Sequence, residues 1–125
     1  PHYYASKMAL VNMTLSLAKE LAHTGITVNC ISPGIIATPE IREMYERRAI
    51  QHGEPSDWPS IEQRIVHGDM PNPAGIVGTP EDIGELVAFL ASDRARYVNA
   101  ANVRIDGGAA TDRAAGGATT YSVPK

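Results

Sequence analysis

The sequence predicts an α/β fold with a parallel sheet, because helical and strand-like segments alternate along the chain. Their order is helix, strand, long excursion, helix, strand. Strands that are joined through a helical crossover pair in parallel. Parallel sheets need helices on both faces, and a sheet of two short strands is marginal by itself. We therefore expect this chain to carry only part of its fold.

The first helix and strand lie at the start of the chain. Apolar residues recur mostly at helical spacing over residues 4–23 and cover much of the helix circumference. Gly25 is typical of a helix end because glycine tolerates positive φ. Residues 26–31 are largely apolar and β-branched, which indicates a short buried strand. Pro33 and Gly34 then end that strand.

The segment from residue 35 to residue 78 is predicted to be a mobile excursion from the sheet. Residues 39–49 can form a helix, but a glycine, two prolines and a tryptophan interrupt it within residues 52–59. Residues 61–67 have only weak helical character. Several side chains of this segment could line an apolar pocket, with simple packing as the more common alternative; they are Met44, Tyr45, Trp58, Ile65 and Met70.

The last helix and strand follow this excursion. Residues 79–82 read Thr-Pro-Glu-Asp, which is a typical helix start with a hydroxyl cap, a proline in the first turn and an acidic residue three places after the cap. An apolar stripe continues over residues 83–90. Residues 102–105 form a short strand, and residues 106–108 (Asp-Gly-Gly) close it. Residues 109–125 lack periodicity and are predicted to form a tail.

Composition and charge fit one soluble domain. The chain has 125 residues, 14 acidic against 11 basic side chains and a net charge of −3. The net charge therefore does not attract nucleic acid or anionic lipid, and we expect neither as a partner. Cys30 is the single cysteine and the four histidines are scattered, so we expect neither an intrachain disulfide nor a metal site. No apolar stretch reaches the roughly 20 residues needed to cross a bilayer, and we expect a cytoplasmic protein.

Tyr3 and Lys7 are the candidate catalytic residues. They lie four apart at the start of the first helix, so their side chains share one face about one turn apart. A neighbouring ammonium favours the phenolate form of a tyrosine, which lets such a pair act as a general acid and base. By spacing alone, surface packing on a helix is the more common explanation.

Four motifs change that assessment because they occur together and in order. They are Tyr3-Tyr4-Ala5-Ser6-Lys7, the run over 26–34 that ends in Ser-Pro-Gly, Gly-Thr-Pro-Glu-Asp-Ile at 78–83, and Ile-Asp-Gly-Gly at 105–108. In this combination the chain resembles the short-chain dehydrogenase/reductase family. The resemblance implies a Rossmann-like, doubly wound parallel sheet of which residues 1–108 are the C-terminal half. Residues 35–78 would be the substrate lid, and residues 109–125 the tail.

The resemblance also implies an NAD(P)-dependent oxidoreductase that interconverts an alcohol and a carbonyl by hydride transfer. Tyr3 would exchange a proton with the substrate oxygen. Lys7 would assist Tyr3 and bind the ribose hydroxyls next to the nicotinamide, so both residues count as catalytic and cofactor-binding. Tyr4 receives no chemical role, and packing or lining the pocket is the role we expect for it.

The same resemblance places the nicotinamide beside the end of the first strand. Ligands bind at the carboxyl edge of the strands in open α/β sheets, which is where Pro33 and Gly34 lie. Ile36 would offer main-chain groups to the carboxamide, and Thr38 would offer its hydroxyl to the carboxamide or to a phosphate. NAD and NADP remain alternatives, because the residues that read the adenosine ribose belong to the half of the fold without a match here.

Two parts of the family pattern have no match in the sequence. No glycine-rich loop follows a strand and opens a helix, and no serine precedes Tyr3 to hold the substrate oxygen. We therefore expect a fragment of a longer enzyme, inactive alone, whose partner is the missing N-terminal half. A smaller departure is Ala100, where relatives usually have glycine before the last strand.

The first helix is apolar on more sides than one sheet face can cover. This indicates contact between helices of different subunits, and because the family forms such dimers and tetramers we expect a homotetramer. A small-molecule alcohol or carbonyl is the expected substrate. The alternative is a non-catalytic, dehydrogenase-like scaffold or assembly fragment, against which the intact Tyr3 and Lys7 weigh.

Overall fold

The structure, a computed structural model, describes residues 2–109. Its elements follow the predicted order. They are α1 (His2–Glu20), β1 (Cys30–Pro33), α2 (Pro39–Gln51), α3 (Trp58–Arg64), α4 (Pro80–Leu90) and β2 (Asn102–Ile105), with a π-helical turn at Ile65–Asp69 and a 3-10 turn at Asp93–Ala95. The predicted tail, residues 109–125, lies outside the described residues apart from Ala109.

β1 and β2 form a two-stranded sheet. The Cys30 amide donates to the Ala101 carbonyl at 2.8 Å, and further along the Gly34 amide donates to the Ile105 carbonyl at 3.0 Å. Donor and acceptor advance in the same direction and by the same number of residues, so the strands run parallel. The predicted α/β class with a parallel sheet is confirmed, and β2 has the predicted bounds.

The first strand begins later than the sequence predicts. The pattern indicates a strand over residues 26–31, whereas β1 begins at Cys30. Before that point, asparagine side chains supply part of the hydrogen bonding between the two segments. The Val28 amide donates to Asn99 Oδ1 at 2.8 Å, and Asn29 Nδ2 donates to a backbone carbonyl at 3.0 Å. Apolar periodicity carries no information about these contacts, which is why the predicted start was wrong.

Local signals set the ends of two helices. α1 ends at Glu20 rather than at His23, because His23 itself has a positive φ of 66°, and Gly25 in the following turn has a φ of 82°. Before α4, the Asp82 amide donates to Thr79 Oγ1 at 3.3 Å, and the Thr79 amide donates to Asp82 Oδ2 at 2.7 Å. This reciprocal pair is a capping box, as the sequence predicts.

The described chain divides into two compact units. The first unit consists of residues 2–32 and 83–104, and the second of residues 33–82 and 105–109. The second unit contains the predicted excursion, which is folded as helices around its own apolar core. This core consists of Ala37, Ala49, Ile61, Ile65, Val66 and Val77.

The apolar side chains of the excursion serve this core. Ile65 is only 1% exposed and belongs to the core, while Tyr45, Trp58 and Met70 pack against it. Of the residues considered for a substrate pocket, Met44 is exposed. Packing is therefore the interpretation that the structure supports for the other four.

In the first unit, α1 buries two residues and exposes most of its apolar surface. Thr14 and Ala18 are buried, and Thr14 Oγ1 donates to the backbone of the preceding turn at 3.1 Å. Exposed apolar side chains of α1 include Met8, Leu10, Met13, Leu15 and Leu17. None of the helices within residues 2–109 is both long and apolar enough to cross a membrane.

Candidate active site

Tyr3 and Lys7 lie on one face of α1, in the first unit. The Lys7 ammonium nitrogen is 5.4 Å from the centroid of the Tyr3 ring, within the range of a cation–π interaction. Ser6 Oγ donates to the Tyr3 carbonyl at 2.7 Å, which fixes the first turn of the helix. Tyr3 is 61% exposed. The structure thus brings the predicted pair together within one helical turn.

Tyr4 packs against Tyr3 rather than against Lys7. The two rings meet edge to face, with centroids 5.6 Å apart and an interplanar angle of 81°. Such a T-shaped contact is a favourable aromatic geometry. Tyr4 is therefore a packing neighbour of Tyr3, in agreement with the role that we expect for it.

The other predicted site residues, Pro33, Gly34, Ile36 and Thr38, belong to the second unit, and Gly34 has the tightest backbone contact. Its amide donates to the Ile105 carbonyl at 3.0 Å, directly after Pro33 ends β1. A methyl group on Gly34 would lie 2.9 Å from the Asp106 Cα, closer than real contacts of this kind. The chain can pass here only without a side chain, so glycine is required by close backbone approach.

Ile36 lies in a short parallel bridge with Gly78. The Ala37 amide donates to the Gly78 carbonyl at 2.7 Å. Successive amides of an extended chain point to opposite sides, so the N–H of Ile36 faces away from Gly78. The Ile36 carbonyl accepts from the Thr38 amide at 2.8 Å. The bridge therefore fixes the backbone whose polar groups the resemblance assigns to the carboxamide.

Thr38 is the N-cap of α2. Its Oγ1 accepts from the Ile41 amide at 3.3 Å, and a proline follows in the first turn. The pKa of the Glu40 carboxyl is held below its ordinary value by hydrogen bonds, first from the Glu40 backbone amide and then from the Thr38 hydroxyl. The Thr38 hydroxyl thus caps the start of α2 and donates a hydrogen bond to the Glu40 carboxylate.

Sequence reasoning missed Asn72, which organises the end of the excursion over residues 35–78. It is buried, its Nδ2 donates to the Ile76 carbonyl at 3.2 Å, and its Oδ1 accepts from the Gly75 amide at 2.9 Å. A methyl group on Gly107 would lie 2.8 Å from Asn72 Oδ1. The available signal was the Pro-Asn-Pro sequence at 71–73, which indicates a turn but not this contact.

An open cleft of about 420 Å³ lies at the C-terminal end of α2. Arg48 pairs there with Asp69 at 3.0 Å, and Arg64 pairs with Glu54 at 3.3 Å. Burial, and next the Asp69 charge, raise the pKa of Tyr45 above its ordinary value. Each arginine of this cleft thus has a carboxylate partner, and we assign no ligand to it.

Comparison with known proteins identifies the class to which this fold belongs. The family described as enoyl-(acyl carrier protein) reductase matches residues 1–110. A 3-oxoacyl-(acyl-carrier-protein) reductase from Rickettsia felis is 37% identical over 107 residues, which cover 86% of this chain and 38% of that protein. A short-chain type dehydrogenase/reductase from Picea abies is 41% identical over 106 residues, which cover 85% of this chain and 34% of that protein. The chain thus spans well under half the length of these relatives.

Solved structures give the same result. The crystal structure of L-sorbose reductase from Gluconobacter frateurii, in complex with NADPH and L-sorbose, matches with a TM-score of 0.75 and 32% identity, over 86% of this chain and 40% of that one. A short chain dehydrogenase family protein from Francisella tularensis matches with a TM-score of 0.73 and 31% identity, over 87% of this chain and 43% of that one. The chain belongs to the short-chain dehydrogenase/reductase family, as its four motifs predict, and it carries part of that family's Rossmann-like fold.

Proposed function

We propose that the chain is the C-terminal part of an NAD(P)-dependent oxidoreductase that interconverts an alcohol and a carbonyl. The observation that carries this proposal is the position of the Lys7 ammonium, 5.4 Å from the Tyr3 ring on the first turns of α1. Membership in a family of dehydrogenases and reductases supports it. The exposed Tyr3 side chain supports it too, because an acid/base must be reachable by a substrate.

In this proposal Tyr3 moves the proton of the reaction. The nicotinamide supplies or accepts the hydride when the cofactor is bound. In the reducing direction, the Tyr3 hydroxyl gives its proton to the carbonyl oxygen while the carbonyl carbon gains the hydride, and solvent reprotonates Tyr3. Oxidation reverses each transfer. The Lys7 ammonium stabilises the phenolate by its charge and binds the ribose hydroxyls.

The segment from Pro33 to Thr38 has groups that suit a nicotinamide. A carboxamide carries one acceptor and two N–H donors. The N–H of Ile36, which faces away from the bridge to Gly78, suits the carboxamide oxygen, and the Ile36 carbonyl and the Thr38 hydroxyl suit its amide. Gly34 adds no side chain at the strand edge. NAD and NADP are both compatible with these groups, and relatives solved with NADPH or NADH support that pair of candidates.

The remaining parts of the enzyme follow from the same proposal. Residues 35–78 form the lid over a small-molecule alcohol or carbonyl. The dinucleotide-binding half comes from the N-terminal part of the same enzyme, since the chain spans only 38% of the reductase from Rickettsia felis. The exposed apolar side chains of α1 fit a contact between subunits of a homotetramer in the cytoplasm.

Replacing Tyr3 by phenylalanine in the complete protein tests the proposal. Tyr3→Phe keeps the ring and removes the exchangeable proton, so turnover should fall by about 100-fold or more while coenzyme binding stays. Tyr4→Phe is the matched control, because Tyr4 has no chemical role, and it should keep parental turnover. Equal turnover of Tyr3→Phe and Tyr4→Phe, or a parent without turnover on a broad panel of alcohols and ketones, would favour the non-catalytic scaffold instead.

A further inference from the structure

One arginine in the second unit joins the lid to the segment proposed to hold the nicotinamide. The guanidinium carbon of Arg42, on α2, lies 4.0 Å from the centroid of the Trp58 ring, at the start of α3. The same side chain donates from Nε to the Ala37 carbonyl at 3.4 Å. Within the part of the chain that the structure describes, Arg42 forms no ion pair. Its contacts are those of a structural link rather than of a charge pair.

α3 reaches the same region through a second residue. Trp58 and Glu62 are four apart and therefore share one face of α3. Glu62 Oε1 accepts from the Val77 amide at 2.9 Å, and Val77 is only 5% exposed. Val77 precedes Gly78, the bridge partner of Ile36. One face of α3 is thus linked to both backbone segments of the bridge. Trp58 stacks on Arg42, which donates to the Ala37 carbonyl, and Glu62 accepts from the Val77 amide.

Ala37 is the point at which these links meet the cofactor segment. It lies between Ile36 and Thr38, it is 6% exposed, and its amide donates to the Gly78 carbonyl at 2.7 Å. The position of its peptide groups therefore sets where Ile36 and Thr38 present theirs. Arg42 fixes the carbonyl of this residue, whereas the bridge fixes its amide.

From this arrangement we propose that Arg42, stacked on Trp58, is a positioning residue for coenzyme binding. This inference rests on the proposed function. Arg42 holds the Ala37 carbonyl so that the flanking polar groups meet the carboxamide, and it ties coenzyme affinity to the packing of α3 in the lid. Arg42 does not touch the reacting atoms, and the proton transfer by Tyr3 does not depend on it.

The effect of Arg42→Gln on the complete protein tests this proposal. Losing one cation–π contact and its hydrogen bond should raise the Kd and KM for NADH or NADPH by about tenfold and leave kcat within about twofold. Trp58→Leu should weaken coenzyme binding as Arg42→Gln does, whereas Trp58→Phe should retain most of the affinity. The double variant Arg42→Gln/Trp58→Leu should bind the coenzyme no more weakly than either single variant, because both substitutions break the same contact. The matched control is Arg47→Gln, because Arg47 lies on the same helix and pairs with Glu43 at the surface.

Three results of these binding and stability measurements would overturn the proposal while leaving the proposed function intact. These are equal coenzyme affinity in the Arg42 and Arg47 variants, an effect confined to kcat or to the unfolding midpoint, and additive effects in the double variant. Hydrogen exchange at the Thr38 amide, which belongs to the same peptide group as the Ala37 carbonyl, gives a readout that needs no coenzyme. Exchange should be faster in Arg42→Gln than in Arg47→Gln, and equal rates would overturn the positioning role. A parent protein that binds neither coenzyme contradicts the proposed function, and the role of Arg42 falls with it.

Discussion

Gly34 passes so close to Asp106 that a methyl group on Gly34 would stand 2.9 Å from the Asp106 Cα. The obstacle is backbone, which cannot rotate away as a flexible side chain can. The same glycine donates its amide to the Ile105 carbonyl at 3.0 Å, so the approach is fixed by the ladder of the sheet. The Pro33-Gly34 motif, which looks like a simple turn in the sequence, therefore also reflects tight backbone packing after β1.

We expect Gly34→Ala to destabilise the protein by about 1–3 kcal/mol, the usual cost of overpacking a well-packed site. Urea unfolding of the purified variant measures this. Gly68→Ala is the matched control, because a Cβ there meets nothing within 4 Å. Gly68 lies in the π-helical turn, where alanine should be neutral or stabilising by up to about 1 kcal/mol. Equal losses in both variants would contradict the packing argument.

Ala100 supplies a second prediction, because it has a φ of 57°, in the left-handed region that favours glycine. Its amide donates to the Val28 carbonyl at 2.8 Å, which keeps the residue in this left-handed conformation. An L-residue with a Cβ is disfavoured there by roughly 1–2 kcal/mol. Ala100→Gly should therefore stabilise the folded state by about 0.5–1 kcal/mol, after allowing for the greater freedom of glycine in the unfolded chain.

Thermal or urea unfolding of Ala100→Gly checks this sign. The control is Ala88→Gly in the interior of α4, an exposed position that should lose about 1 kcal/mol because glycine is a poor helix former. The two identical substitutions should shift stability in opposite directions. A loss of stability in both would show that the left-handed conformation of Ala100 costs nothing.

Asp57 predicts a dependence of stability on pH. It is the N-cap of α3 and accepts from the Ser60 amide at 3.0 Å, and its hydrogen bonds to the side chain and backbone of Ser60 lower the pKa of its carboxyl. A lowered pKa means that the folded state favours the carboxylate. This stabilisation is complete above the unfolded-state pKa of about 4 and is lost as the pH falls through the lower folded-state pKa.

Denaturant midpoints between pH 2 and pH 7 test this cap. Asp57→Ala should lower the midpoint at pH 7 and reduce the loss of stability on acidification, because the titrating group is gone. Asp57→Asn keeps a capping oxygen without a charge, so its midpoint should lie between those of the parent and Asp57→Ala at pH 7. An acid profile that is the same in the parent and in both variants would exclude Asp57 as its source.

Residues 35–78 show what sequence patterns miss. The glycine and the two prolines in residues 52–59 correctly predict a break between two helices, because such residues act on the backbone within a few positions. The pattern does not show that Ile61 and Val66 meet Ala37 and Val77 in one core, since these contacts join residues far apart in the chain. A segment predicted to be a mobile excursion is therefore a folded unit with buried residues.

The sequence by itself determined the order of the elements, the parallel α/β class, the capping of α4, the bounds of β2 and the pairing of Tyr3 with Lys7, because spacing, caps and periodicity act over one or two turns. Only the tertiary structure decided that β1 starts at Cys30, that Gly34 must lack a side chain, and that Arg42 reaches both Trp58 and Ala37. Those features depend on hydrogen bonds and close approaches between residues distant in the chain or on different elements. Such contacts produce no periodic pattern in the sequence, because they form only when the folded backbone brings these residues together.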